Sequence, residues 1–136
     1  MEASSLRIGN YVLDRGGKTL RIDHIDFYKV YMDMFVGLQS VHPLTEYYGN
    51  LQPIPLTEEI LLKCGFERDA AGFLGSDQSD TAFRSKIYVS KHGVKFFLWI
   101  ECEDNYFSEN GIEIESLHQL QNLYFALTGQ ELEVSL

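Results

Sequence analysis

The chain has 136 residues, a hydrophobic fraction of 45% and a formal net charge of −9. This length suits one ordinary domain that buries a continuous core without disulfides or metal ions, and the composition excludes a disordered chain. Residues 1–7 lack the features of a signal peptide, and no apolar stretch approaches the roughly 20 residues of a membrane-spanning helix. We therefore expect a cytoplasmic protein with no membrane partner.

The negative charge is concentrated at the C-terminal end of the chain. Residues 1–100 carry 12 acidic and 11 basic side chains, a balance of −1, whereas residues 101–136 carry 8 acidic side chains and no Lys or Arg, a balance of −8. Such a segment repels the phosphate backbone of nucleic acids. We therefore expect no direct nucleic-acid binding, and the acidic segment suits a basic partner instead.

Residues 1–41 are predicted to form a β-rich unit. Leu6, Ile8 and Val12 lie on one face of a first strand, residues 14–17 supply turn chemistry, and a return strand begins near Thr19. The apolar phase slips near His24, which indicates a β-bulge or a sharp bend. A third strand over residues 30–36 completes either part of a small barrel or a meander on one side of a core.

Residues 42–56 contain Pro43, Gly49, Pro53 and Pro55, so they are predicted to connect the two halves of the chain. A subdivision of the chain would follow this connection, with a β-rich unit at 1–41 and an α+β unit at 57–136. Each half has few apolar positions of its own. We therefore expect one compact domain over residues 1–136.

The second half is predicted to contain two helices and an antiparallel sheet. A helix at 58–64 begins at Thr57 and ends at Gly65, with Phe66 packing back on it. Residues 83–90 and 94–102 form a hairpin whose second strand is apolar on both faces and therefore central. Asn110 and Gly111 mark a further hairpin, and a last helix covers 117–128. The predicted class is α+β.

The last helix has two different faces. Its apolar stripe, which is core, consists of Leu117, Leu120, Leu123, Tyr124 and Leu127. The second face carries His118, Gln121, Asn122 and Phe125, and no charged residue lies between Ser116 and Gln130. Either the protein's own loops or first hairpin cover this face, or it contacts a partner protein with Glu113 and Glu115 as an acidic rim. Recognition of DNA bases by the side-chain amides of Gln121 and Asn122 is disfavoured, because no Lys or Arg is nearby to bind the phosphates.

No motif for catalysis, metal binding or a cofactor is present. The sequence has no G-x-S-x-G elbow, and none of its four His residues stands three or four positions from another. Cys64 and Cys102 lie in apolar contexts and are predicted to be buried thiols. We expect no cofactor, no metal and no catalytic residue.

Three segments carry a resemblance to a known group of proteins. They are LRIGNYV at 6–12, PIPLTEEILLKCGF at 53–66 and LHQLQNLYFALTG at 117–129. In this order they resemble small uncharacterised proteins encoded in Bacteroidales genomes and their phages or mobile elements. The resemblance implies a bacterial cytoplasm and an accessory gene, and it supplies no activity or binding residue.

The sequence thus favours a noncatalytic protein-binding accessory or regulatory module that binds a protein of unknown identity. Its predicted contact residues are His118, Gln121, Asn122 and Phe125 with Glu113 and Glu115. One alternative is an acidic inhibitor that mimics nucleic acid and blocks a DNA-acting enzyme. Another is a small hydrolase whose catalytic triad is assembled only by folding.

Overall fold

The computed structural model describes residues 5–28, 33–39, 44–47, 50–69, 72–74, 85–102 and 111–136. These residues form two antiparallel sheets and two helices, so the predicted α+β class is confirmed. The strands are β1 Tyr11–Leu13, β2 Thr19–Tyr28, β3 Asp33–Gln39, β4 Leu44–Tyr47, β5 Glu67–Asp69, β6 Gly72–Leu74, β7 Ser85–His92, β8 Lys95–Cys102 and β9 Ile112–Ile114. The helices are α1 Glu58–Lys63 and α2 Leu117–Thr128. Within the described residues, no helix is long and apolar enough to cross a membrane.

The first sheet is a four-stranded meander in the order β1-β2-β3-β4. Its core packs Val12 of β1 against Leu20 and Ile22 of β2, together with Leu51. The pairing of β2 with β3 shifts register between Ile22 and His24, which confirms the predicted irregularity near His24. The bulge explains why apolar residues change phase along a single continuous strand.

Two predictions in this half require correction. The first strand begins at Tyr11, because Gly9 has a φ of 95° and the Asn10 side chain accepts a hydrogen bond from the Arg7 N–H, which together close a turn. Strand β4 lies inside the segment that was predicted to be a connection, and it pairs with β3. Residues 29–32, where the third strand was predicted to begin, lie outside the described part of the chain.

Helix α1 follows the predicted start and stop signals closely. The Thr57 side chain accepts a hydrogen bond from the Ile60 N–H at 3.2 Å, as an N-cap does. At the other end Gly65 has a φ of 83°, its N–H donates to the Leu62 carbonyl, and the Phe66 N–H donates to the Leu61 carbonyl. These two bonds are the Schellman motif that the sequence predicts.

The second sheet has five strands in the order β5-β6-β7-β8-β9. Strand β8 lies between β7 and β9, so its predicted central position is confirmed. The β7–β8 turn contains Gly93, whose φ of 65° suits a tight hairpin. The described part of the predicted Asn110–Gly111 hairpin is strand β9, while Asn110 lies outside the described residues.

The chain divides into two compact units. The first consists of Met1–Pro55 with Ser116–Asn122, and the second consists of Leu56–Glu115 with Leu123–Leu136. Helix α2 therefore contributes its first half to one unit and its second half to the other. The prediction of a single domain over residues 1–136 stays a prediction.

Candidate functional site

Helix α2 begins in buried polar surroundings within the first unit. The Leu117 N–H donates to the Ile54 carbonyl at 2.9 Å, and Ser116 Oγ lies 3.0 Å from His118 Nδ1. His118 is only 5% exposed, and its burial lowers the pKa of the imidazole below the ordinary value of 6.5. The His118 ring is therefore neutral at pH 7 and part of the interior.

Gln121, one turn further along, hydrogen-bonds with the main chain of the N-terminal segment. Its Oε1 accepts from the Tyr11 N–H at 2.9 Å, and its Nε2 donates to the Gly9 carbonyl at 2.9 Å. The side chain is 2% exposed. Both ends of the amide are thus used inside the first unit, as burial of an amide requires.

Asn122 extends this contact through a second amide. The fully buried Asn10 donates from Nδ2 to Asn122 Oδ1 at 2.9 Å, and Asn122 Nδ2 donates to the Ser5 carbonyl at 2.9 Å. Asn10 Oδ1 in turn accepts from the Arg7 N–H at 2.7 Å. The result is a polar network that ties residues 5–11 to the first half of α2.

These contacts bear on the two interpretations of the second helix face. The amides of Gln121 and Asn122 hydrogen-bond with residues 5–11 of the first unit, as expected if the protein covers its own face. His118 is buried as well. A partner therefore has no access to His118 or Gln121 in this structure.

Phe125, the fourth residue of that face, has a different environment. It is 40% exposed and Leu127 is 41% exposed, with Ala126 also exposed between them, so the prediction that Leu127 belongs to the core is wrong. We call Phe125, Ala126 and Leu127 the exposed turn. The exposed turn lies at the end of α2, and no residue of this helix is acidic or basic at either end. The surface of the exposed turn is therefore apolar.

The two acidic residues predicted to form a rim are also exposed. Glu113 lies on β9, where its Oε1 is 3.5 Å from Lys95 Nζ. Glu115 follows β9, and its carbonyl accepts a hydrogen bond from the Leu56 N–H at 3.0 Å. Both carboxylates are thus on the surface of the second unit, as contact with a basic partner would need.

A groove of about 310 Å³ lies within the second unit, between the end of α1 and the C-terminal segment, residues 130–135. Ser135 donates its N–H to the Lys63 carbonyl at 2.9 Å and so joins the segment to α1. The lining residues are Leu62, Lys63, Cys64, Gly65, Tyr124, Gln130, Glu131, Leu132, Glu133 and Ser135. Burial raises the pKa of the Cys64 thiol to about 12, so this sulfur is not a nucleophile at neutral pH.

Two Ser–His pairs bear on the hydrolase alternative. Ser116 and His118 are both buried, so a substrate cannot reach that hydroxyl. On β7, Ser90 Oγ lies 3.3 Å from His92 Nε2 and accepts a hydrogen bond from Trp99 Nε1 at 2.6 Å. None of these residues lines the groove. Neither pair therefore belongs to the groove that the described residues form.

Comparison with other proteins adds no assignment. Neither a family model nor a curated protein nor a solved structure matches the chain. Among the residues that the structure describes, no three His, Cys, Asp or Glu side chains are grouped so that they could hold a metal ion. The candidate site therefore rests on the geometry of the exposed turn and the groove.

The groove is not apparent from the sequence. Its two walls are about 70 positions apart in the chain, at residues 62–65 and 130–135. One signal was present in the sequence, because residues 131–134 alternate between Glu and an apolar residue. Such alternation is typical of an extended segment with one buried side.

Proposed function

We propose that this protein is a noncatalytic protein-binding module, with an accessory or regulatory role in a bacterial cytoplasm. The observation that carries the proposal is the exposed turn, in which Phe125 and Leu127 present apolar surface at the end of a helix that has no charged residue. Solvated helix faces ordinarily carry charges. Exposed aromatic surface of this kind is typical of the central part of protein interfaces.

The charge around the exposed turn defines the kind of partner. Glu131 and Glu133 follow the turn closely in the chain and are exposed, and the chain has no Lys or Arg after position 100. A partner surface that joins an apolar anchor to Lys or Arg residues would complement both features. A nucleic acid would be repelled by the same acidic side chains.

A selection of peptides from a random display library, with the whole protein as the target, tests this proposal. We expect the selected peptides to contain an aromatic or aliphatic anchor beside Lys or Arg. The Phe125→Ala variant should bind them at least about tenfold more weakly, since anchor residues of interfaces contribute 1.4 kcal/mol or more. Affinities are measured by isothermal titration calorimetry.

Val94→Ala is the matched control variant. Val94 is 91% exposed in the β7–β8 turn, so its truncation also removes exposed apolar surface. Equal affinities of the wild-type protein and the Phe125→Ala variant for every selected peptide would reject the exposed turn as the contact. Weakening by Val94→Ala to the same extent would also reject it.

Ionic strength separates this proposal from nucleic-acid mimicry. Binding centred on Phe125 should keep most of its affinity when salt is raised, because apolar contacts are not screened. A mimic would bind DNA-acting enzymes through charge alone, and its affinity would fall steeply with salt. Loss of all binding at high salt, with no effect of Phe125→Ala, would favour the mimic.

A further inference from the structure

The turn between β1 and β2 presents two basic side chains, and we call residues 14–18 the basic turn. Arg15 and Lys18 are both exposed. Within the described part of the chain, no carboxylate forms an ion pair with either of them. The whole chain has 20 acidic side chains for 11 basic ones, so cations without a carboxylate partner are unexpected in it. These two positive charges are available to an external anion.

The basic side chains of the second unit have a different environment. Four of them each lie within 3.5 Å of a carboxylate, namely Lys63, Arg68, Lys91 and Lys95. A carboxylate at this distance offsets the positive charge that a partner would meet. The fold thus neutralises these cations and leaves those of the basic turn.

The acidic residue of the basic turn does not neutralise it through an ion pair. Asp14 Oδ1 accepts hydrogen bonds from the Gly16 N–H at 2.9 Å and from the Lys18 N–H at 2.8 Å. Gly17 has a φ of 83°, and its N–H donates to the Asp14 carbonyl at 3.0 Å. The Asp14 carboxylate therefore closes the turn, and these bonds fix the main chain from which both basic side chains extend.

The outer face of the β1–β2 hairpin adds contact surface next to the basic turn. Tyr11 lies opposite Arg21, and Leu13 lies opposite Thr19. Arg21 and Thr19 are exposed, and Tyr11 and Leu13 are half-buried, whereas Val12 is buried on the other face. Tyrosine and arginine are enriched in protein interfaces. The hairpin thus combines positive charge with partly exposed apolar surface.

We infer that the β1–β2 hairpin binds an acidic segment of a second partner protein. Carboxylates of that segment would accept charge-assisted hydrogen bonds from Arg15 and Lys18, and its apolar side chains would pack on Tyr11 and Leu13. The hairpin belongs to the first unit, whereas the exposed turn belongs to the second unit and is proposed to bind a basic partner. The inference therefore goes beyond the proposed function and does not depend on it.

The charge balance favours a short acidic segment over two other anionic occupants. A nucleic acid is a long polyanion, which the net charge of −9 repels, and the basic turn offers only two cations to its phosphates. A second copy of this chain would bring together two molecules with that same net charge. A short segment needs only the local charges of the hairpin.

Fluorescence anisotropy with labelled peptides on the whole protein tests the inference. The probes are a short peptide of alternating Glu and Leu and a matched peptide of alternating Gln and Leu. At low salt the Glu peptide should bind at least about tenfold more tightly than the Gln peptide. In the double variant Arg15→Gln/Lys18→Gln this preference should disappear.

Lys63→Gln/Lys95→Gln is the matched control, because it removes the same two charges from the second unit. It should keep the preference for the Glu peptide. All four side chains are exposed, so both variants should fold, which their thermal midpoints check. Equal loss of the preference in the two variants would show that net charge alone attracts the peptide. That result, or equal binding of both peptides by the wild-type protein, would overturn the inference.

Two further results would assign the hairpin to a different occupant and so overturn the inference. One is tighter binding of a labelled DNA duplex than of the Glu peptide. The other is a dimer in sedimentation equilibrium that Arg15→Gln/Lys18→Gln dissociates. Phe125→Ala should leave the preference for the Glu peptide unchanged, so failure of the exposed turn and failure of the hairpin give different results.

Discussion

At the scale of single residues, the amide of Gln121 on α2 has a structural role. It accepts a hydrogen bond from the Tyr11 N–H and donates one to the Gly9 carbonyl, both at 2.9 Å. Because the side chain is buried, neither main-chain group has water as a replacement partner. Its identity as glutamine is therefore explained by folding, and no external ligand is needed to account for it.

Replacing Gln121 by Ala should lower the free energy of unfolding by about 2 to 4 kcal/mol, since two main-chain groups would lose their partner in a buried place. Urea unfolding followed by far-UV circular dichroism, which reports both units, measures this change. Gln130→Ala is the matched control, an exposed amide just after the same helix, and its effect should stay within about 0.5 kcal/mol. Equal effects of the two variants would contradict the structural role of Gln121.

The buried imidazole of His118 predicts a pH dependence of stability. Burial lowers its pKa in the folded state below 6.5, so the unfolded state binds more protons as the pH falls through that value. The free energy of unfolding should therefore decrease from pH 7 to pH 5. His118→Asn keeps a polar atom near the position of Nδ1 and cannot titrate, so this part of the pH dependence should disappear.

Urea unfolding of the wild-type protein and the His118→Asn variant at a series of pH values measures that difference. Titration of the carboxyl groups is common to the two proteins and cancels in the comparison. Parallel pH profiles for the two proteins would show that His118 titrates equally in the folded and unfolded states.

At the residue scale, sequence patterns identified the members of the second α2 face but not what covers each of them. Periodicity places His118, Gln121, Asn122 and Phe125 on one side of a helix. The hydrogen bonds of Gln121 and Asn122 depend on a turn at residues 7–10 that lies more than 100 positions away. That turn exists because Gly9 adopts a positive φ and Asn10 bonds back to Arg7, which an alternating pattern does not reveal.

At the scale of elements, α1 was predicted most closely because its ends are encoded locally. Thr57, Gly65 and Phe66 each form the bonds that capping rules assign to them. Strand β4 was missed although it pairs with the preceding strand β3, because Pro43 and Gly49 on either side of it indicate an irregular connection. Pairing with β3 overrides the disrupting effect of the nearby prolines.

The C-terminal end of α1 gives a prediction at this scale. Gly65→Ala should lower the free energy of unfolding by about 1 to 2 kcal/mol, because φ is 83° there and a Cβ is unfavourable in this region. Gly16→Ala is the matched control, since an added Cβ would meet Asp14 Oδ1 at an ordinary 3.4 Å and the residue has no positive φ. Thermal unfolding compares them, and equal shifts of the midpoint would contradict the Schellman assignment.

At the scale of the whole molecule, the types of the predicted elements are enough to predict the α+β class. They do not predict which stretches of the chain form each compact unit. Each unit combines two separate stretches of chain, and the boundary passes through α2 between Asn122 and Leu123. A linear pattern predicts contiguous pieces, so it placed the subdivision at residues 42–56. The groove was missed for the same reason, because tertiary packing brings its two walls together.

The two halves of α2 have different roles in the proposed function. In the first unit its side chains Gln121 and Asn122 are used by the fold, and in the second unit Phe125 and Leu127 remain exposed. One face of one helix thus serves stability at its beginning and is proposed to serve binding at its end.

The measurement that tests this account most directly compares Gln121→Ala and Phe125→Ala for both stability and peptide binding. We expect Gln121→Ala to lower the free energy of unfolding while the fraction that stays folded binds the selected peptides with wild-type affinity. We expect Phe125→Ala, which truncates a partly exposed side chain, to lower stability less than Gln121→Ala does and to weaken binding at least about tenfold. If Phe125→Ala lowers stability while binding is retained, Phe125 is a core residue and the exposed turn is not the partner-binding surface.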